Sequence, residues 1–133
     1  MKEHPGSETE TSIAIALVRH GDCYLVGERG PGGPLAGLAE FPGGKRLPNE
    51  SLEECAVREC REETGLAIRV DRRRCEVVHD YPHGRVRLTF FDCSLTTGAT
   101  PAGGFRWVPA RRLAELDFPE ANKRVIEELS SPV

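Results

Sequence analysis

The sequence predicts an α/β fold, a mixed sheet packed between helices, on three observations. Strand-like apolar runs interleave with helical patterns through short links. One helix is bounded by its own residues: Ser51 with Glu54 three positions on forms a capping box, and Gly65 supplies the left-handed stop. A second stripe, Asn122, Val125, Ile126 and Leu129, falls at i, i+3, i+4 and i+7 near the end of the chain. At 133 residues the chain is long enough for one domain with its own core. The expected organisation is a polar, flexible tail over residues 1–10 and a single domain over residues 11–133.

Taken in order, Ile13 to Val18 is a small apolar run and reads as a buried strand. His20-Gly21-Asp22 is a turn signal, and Cys23 to Glu28 is the returning strand of a hairpin. Gly30 to Pro34 is a loop; no Gly-Lys-Ser/Thr follows it, so it is not a P-loop. Glu40 to Lys45 (EFPGGK) leads to the helix, with Gly43 and Gly44 giving the backbone freedom to approach a ligand. Leu52, Cys55 and Ala56 form the inward stripe of that helix. Ile68 to Val78 is strand-like but broken by Asp71-Arg-Arg-Arg74, expected on a solvated turn. Tyr81 to Gly84 is a turn. Val86, Leu88 and Phe90 alternate with Arg87 and Thr89, a half-buried strand running on to Leu95. Thr96 to Gly104 is a loop, Phe105 to Val108 a short strand, Pro109 to Leu116 a short helix, and Pro119 opens the last helix. The terminal stripe turns Asn122 inward.

Composition excludes several classes. A net charge of −3 leaves no basic footprint for a nucleic-acid polymer. No apolar run has membrane-spanning length, and the first residues carry no hydrophobic segment of a secretory signal. Five scattered cysteines without a C-x-x-C pair read as reduced, mostly buried thiols in the cytoplasm rather than a zinc site. Oligomeric state is not encoded in any readable pattern; a monomer fits the size.

The chemistry concentrates between Gly44 and Leu66. Glu59, Glu62 and Glu63 stand at i, i+3 and i+4, on one helical face. Three like charges there repel, and a hard divalent cation such as Mg²⁺, or Mn²⁺ in its place, relieves them through oxygen ligands. Arg58 stands four residues before Glu62 and can hold that glutamate's rotamer. The full spacing, Gly44, five residues, Glu50, seven residues, then Arg58-Glu59-Cys60-Arg61-Glu62-Glu63-Thr64-Gly65-Leu66, resembles the Nudix box, the diphosphate-hydrolase signature of the Nudix family. Cys60 stands where that pattern usually has a larger aliphatic residue.

The resemblance implies the Nudix fold, with the box as loop–helix–loop. It implies Glu59, Glu62 and Glu63 as metal ligands with the main-chain carbonyl of Gly43 beside them, Arg58 as an orienting partner, and Lys45 reaching a substrate phosphate. Glu50 is left between ligand and structural roles, and Glu59 or a neighbour takes the proton of the attacking water. Beyond the box, EFPGGK, Tyr81-Pro82, Phe-Arg-Trp107 and Asp-Phe-Pro-Glu-Ala-Asn122 look closest to the MutT branch, which hydrolyses 8-oxo-dGTP and related nucleoside triphosphates to monophosphate and pyrophosphate. That likeness implies Asn122 as a base-reading amide, Arg29, Leu35 and Phe41 lining a base pocket, and Tyr81 stacking on a base. His83 and Gly84 depart from the MutT pattern, which has an acidic and a basic residue there. The same chemistry on ADP-ribose, a sugar nucleotide or CTP is the alternative. A nucleotide-binding module without turnover would show broken box glutamates, and here all are intact.

Overall fold

The computed structural model describes residues 10–33, 35–82 and 84–131. Its strands are β1 (Glu10–His20), β2 (Cys23–Glu28), β3 (Ala39–Glu40), β4 (Gly43–Lys45), β5 (Ala67–Tyr81), β6 (Gly84–Thr97) and β7 (Arg106–Pro109). Helix α1 spans Leu52–Thr64 and α2 spans Lys123–Ser130, with 3₁₀ turns at Ala110–Glu115 and Glu120–Asn122. The sheet runs β3-β2-β1-β6-β5, with β4 on β1 and β7 on β2. It is mixed: β1 and β6 are parallel from Glu10–Arg85 to Arg19–Ser94, and the other pairings are antiparallel. The expected α/β architecture is the observed one.

The period-2 alternation of the central strands builds two cores. Ala14, Ala16 and Val18 of β1, with Leu25, Phe91 and Cys93, face α1 and pack on Cys55, Ala56 and Cys60. Ile15 and Leu17, with Tyr24, Val26 and Phe90, face the other way onto Val125, Ile126 and Leu129 of α2. Small residues on one side of β1 let α1 approach closely, and larger ones on the other side fill the space under α2. Phe90 and Phe91 are fully buried on opposite faces, each contributing about 2–3 kcal/mol of transfer free energy.

One edge of β1 is split, and the split positions the site. Ile13 to Ile15 pair with β4, whereas β2 pairs with β1 only at Arg19 and His20. Between them the Ala16 N–H donates to the Pro42 carbonyl at 2.8 Å. The Phe41-Pro42-Gly43 turn is thereby wedged into the sheet edge, directly before the box.

The structure changes several expectations. Glu10 belongs to β1, and its carboxylate pairs with Arg87 at 2.7 Å; the rest of the expected tail lies outside the described residues. The Arg-rich stretch is not a turn. It continues β5 through bulges between Val70 and Arg72 and between Arg73 and Cys75. Each bulge shifts the two-residue period, which is why the alternation fades in the sequence. Arg72 and Arg74 both reach Asp92, at 2.7 and 2.8 Å, and Arg74 continues to Glu128 of α2 at 3.1 Å. The helix expected at Pro109–Leu116 is a 3₁₀ turn, and Pro119 opens a 3₁₀ turn before α2 proper. The Tyr81–Gly84 turn joins β5 and β6, with His83 outside the described residues. All five cysteines are free, three of them buried. Among the described residues no helix is long and apolar enough to cross a membrane.

Candidate active site

The box helix is fixed at both ends by local chemistry. The Ser51 side chain accepts from the Glu54 N–H at 3.0 Å, and the Glu54 carboxylate accepts from the Ser51 N–H at 2.8 Å. At the other end Gly65 takes φ 79°, and its N–H donates to Arg61 at 2.9 Å. Thr64, buried, donates to the Cys60 carbonyl at 2.7 Å and accepts from the Leu66 N–H at 3.1 Å, closing the turn into β5. The Ala99–Gly104 loop packs against this end: the Ala102 N–H reaches the Thr64 carbonyl at 2.9 Å, and a Cβ on Gly103 would collide with the Glu63 carbonyl.

Arg58 organises the acidic face. Its Nε and Nη2 hold both oxygens of Glu50, at 2.9 and 2.8 Å, and Glu50 also accepts from the Leu47 N–H at 2.9 Å. Nη1 reaches Glu59 and Glu62 at 3.2 Å. The anticipated Arg58–Glu62 pair is present, but Arg58 is a hub for three carboxylates rather than one. Two charge-assisted bonds from Arg58 and the Leu47 amide hold the Glu50 carboxyl down at about 2, and the same carboxylates raise the arginine. Glu50 is therefore engaged structurally, joining the β4–α1 loop to the helix.

The three box glutamates are not equivalent. Glu62 is 57% exposed and lies outward on Arg58. Glu63 turns the other way and accepts from the Gly43 N–H at 3.2 Å. Glu59 is bonded to Arg58, and its charge is felt at the Glu63 carboxyl. Burial pushes the Glu63 carboxyl up to about 7, with Glu59 and Glu40 adding to the rise and the Gly43 N–H opposing it. Among the described residues no three Asp, Glu, His or Cys side chains converge as a metal cage.

The backbone makes room for this arrangement. A Cβ on Gly44 would meet the Glu59 carboxylate at 2.4 Å, and one on Gly43 would meet the Ala14 carbonyl at 2.4 Å. The glycine pair lets β4 lie against both β1 and the glutamates. The Glu59 carboxylate occupies the cradle that a side chain at position 44 would fill. With Glu63 beside it, the donors are hard oxygens, a set that fits Mg²⁺ or Mn²⁺ and not a soft metal.

A cleft of about 670 Å³ opens beside the helix. Its floor is apolar: Ile13 and Ile15 of β1 and Val86 and Leu88 of β6. Gly43, Gly44, Lys45 and Glu63 line one part, and Pro119, Ala121 and Asn122 another. Arg29, Leu35, Phe41 and Tyr81 line it as well, so every residue expected to contact a substrate borders one space. Asn122 is 7% exposed, inward as its place in the terminal stripe required, and its amide has one long bond, to the Pro119 carbonyl at 3.4 Å. Phe41 stacks on Phe118, with ring centroids 4.8 Å apart. The Tyr81 ring lies against His79 at 4.5 Å. Sequence reasoning missed Glu40 as a member of this lining; its place next to Phe41 was the available signal. It also missed the apolar floor, whose residues read simply as core.

The sequence profile of the NUDIX domain matches residues 13–128. An 8-oxo-dGTP diphosphatase of Escherichia coli (strain K12) is 29% identical over 122 residues, 88% of this chain and 94% of that protein. An 8-oxo-dGTP diphosphatase of Proteus vulgaris is 33% identical over 81 residues, 59% of this chain and 71% of that one. A CTP pyrophosphohydrolase of Escherichia coli (strain K12) is 38% identical over 58 residues, 44% of this chain and 43% of that one. The crystal structure of a MutT protein from Methanosarcina mazei Go1 superposes with a TM-score of 0.77 at 23% identity, covering 91% of this chain and 93% of that one, which is a likeness of fold.

Proposed function

The chain belongs to the NUDIX domain family, near its MutT branch, and we propose that it is a divalent-cation-dependent pyrophosphohydrolase of nucleoside triphosphates, releasing nucleoside monophosphate and pyrophosphate. The observation that carries this reading is a cleft with unlike linings. Glu63, the Gly43–Gly44 backbone and Lys45 border it together with the buried Asn122 amide and the apolar Ile13, Ile15, Val86 and Leu88. A nucleotide has the matching two parts, a polyanion and a flat base with a hydrogen-bonding edge.

Glu59 and Glu63, with Glu62 and the Gly43 carbonyl, are the residues that would hold Mg²⁺, with Mn²⁺ as a substitute. The bound cation supplies neutralisation of the phosphoryl oxygens and stabilisation of the leaving group. Arg58 keeps Glu50, Glu59 and Glu62 in place against their mutual repulsion. Lys45 meets a substrate phosphate at the exposed rim. Arg29, Leu35 and Phe41 border the base, Tyr81 stacks on it, and Asn122 reads its edge, since an amide presents donor and acceptor together. The five free cysteines support action in a reducing compartment such as the cytoplasm.

The substrate we favour is 8-oxo-dGTP or a related purine triphosphate, as the two diphosphatase relatives act on that nucleotide by name. A second reading, CTP, has support from the named CTP pyrophosphohydrolase and from His83 and Gly84, which depart from the MutT pattern. The test is a panel of 8-oxo-dGTP, dGTP, CTP and ADP-ribose with Mg²⁺, Mn²⁺ or EDTA, measuring pyrophosphate. Products without pyrophosphate, or turnover untouched by EDTA, would overturn the reading. Glu59→Gln and Glu62→Gln are each expected to lower kcat at least about a hundredfold.

A further inference from the structure

We infer that Glu40 is a catalytic carboxylate of this site, the acceptor of the proton that leaves the attacking water. The inference rests on the pyrophosphohydrolase reading above and goes beyond it by assigning the general base.

Hydrolysis of a diphosphate needs a carboxylate that faces the cleft and is not already committed. Glu50 fails this test, because Arg58 and the Leu47 amide occupy its oxygens. Glu62 fails it, lying outward on Arg58 and outside the cleft lining. Glu59, Glu62 and Glu63 are the cation ligands of the reading above, and a carboxylate bound to a divalent cation is a weaker base. The loop before β7, residues 96–104, contains no Asp or Glu. Among the described residues that line the cleft, the carboxylates are Glu40 and Glu63.

Glu40 is also placed on a firm support. Its backbone pairs with Gly27 in the β2–β3 ladder, and the neighbouring Ala39 N–H donates to the Asp117 carbonyl at 2.8 Å. Phe41, the next residue, is stacked on Phe118 in the core. Three residues on, Gly43 is bonded to Glu63, and the charge of Glu40 is felt at the Glu63 carboxyl. The Glu40 side chain is 27% exposed and has one long ion pair, to Arg29 at 3.4 Å, whose own side chain is 47% exposed. An ion pair this long and exposed leaves the Glu40 carboxylate open to water. Burial raises the Glu40 carboxyl, with Arg29 opposing, which is the direction a base working near neutral pH requires.

In the step, the water oxygen forms a new bond to phosphorus and the bridging P–O bond breaks. The electron pair of that bond leaves with the departing phosphate oxygen, and the water proton passes to Glu40, which returns it to solvent.

The test is Glu40→Gln, which preserves size and an oxygen for Arg29. Expected are a kcat lower by at least about a hundredfold, the usual contribution of a general base, a KM within about twofold, and Mn²⁺ affinity by electron paramagnetic resonance titration equal to wild type. Glu63→Gln is the control that weakens Mn²⁺ binding. Glu40→Ala with added sodium formate supplies a second arm that does not depend on the glutamine variant folding: formate is expected to restore turnover in Glu40→Ala and to leave Glu63→Gln unchanged. A kcat within about threefold of wild type, a change confined to KM, a loss of Mn²⁺ affinity, or no formate rescue would each overturn the assignment. The reading it rests on fails separately, if the wild-type chain releases no pyrophosphate from any nucleotide.

Discussion

Gly44→Ala isolates the geometry of the carboxylates from the stability of the fold. The new Cβ would sit 2.4 Å from one oxygen of Glu59 and 2.5 Å from its carboxyl carbon, where ordinary contact begins at 3.4 Å. The carboxylate must therefore withdraw by about 1 Å, the difference between 3.4 and 2.4 Å. It can do so, because what blocks the methyl group is the end of a side chain. The backbone does not resist, since Gly44 is not among the glycines at positive φ. A misplacement of about 1 Å in a catalytic constellation costs on the order of a hundredfold in rate, about 2.7 kcal/mol of activation free energy. Gly43→Ala is the contrasting substitution. Its Cβ would meet the Ala14 carbonyl at 2.4 Å and the Ile15 Cα at 3.0 Å, both backbone within the β1–β4 pairing. Here the sheet must move, at a cost of about 1–3 kcal/mol in stability. The assay pairs steady-state pyrophosphate release with urea denaturation. Gly44→Ala is expected to lose turnover at nearly wild-type stability, and Gly43→Ala to lose stability. Full turnover by Gly44→Ala would show that the Glu59 carboxylate has no fixed place in the reaction.

Three further substitutions probe other parts of the argument. If Asn122 reads the base as proposed, Asn122→Ala should raise KM for one nucleotide at least about tenfold more than for the others, because that base edge loses its hydrogen-bonding partner; equal losses across bases would mean that Asn122 does not read the base. Thr64→Val keeps the buried volume but leaves the Leu66 N–H without its partner, so unfolding should be easier by about 1–3 kcal/mol; a change below about 0.5 kcal/mol in urea titration would refute the role of this hydroxyl. Arg74→Met severs the link from Asp92 to Glu128 and should cost about 1 kcal/mol at low salt, with the gap to wild type narrowing in 1 M NaCl through screening; a salt-independent gap would assign the loss to packing of the arginine stem.

How much of this was legible in the sequence follows from how local each cause is. The capping box at Ser51–Glu54, the Gly65 stop and the inward turn of Asn122 depend on residues a few positions apart, and each is where the sequence put it. The β5 bulges depend on the partner strand: nothing within Asp71–Arg74 reveals that Asp92, on β6, waits to receive two of its arginines. The carboxylates show the same division. Helical spacing placed Glu59, Glu62 and Glu63 on one face, yet it could not show that Arg58 draws Glu62 outward while Gly43 draws Glu63 inward. That separation arises from β4, a segment apart from the helix, and from the split edge of β1 that lets β4 in. Glu40 was overlooked for the same reason. A lone glutamate between Ala39 and Phe41 acquires meaning only when the Pro42 carbonyl is fastened to Ala16 and the turn swings its neighbours against the box helix. The glutamate-rich helix thus states the kind of chemistry, while the wedge at residues 40–44 decides which carboxylates border the cleft.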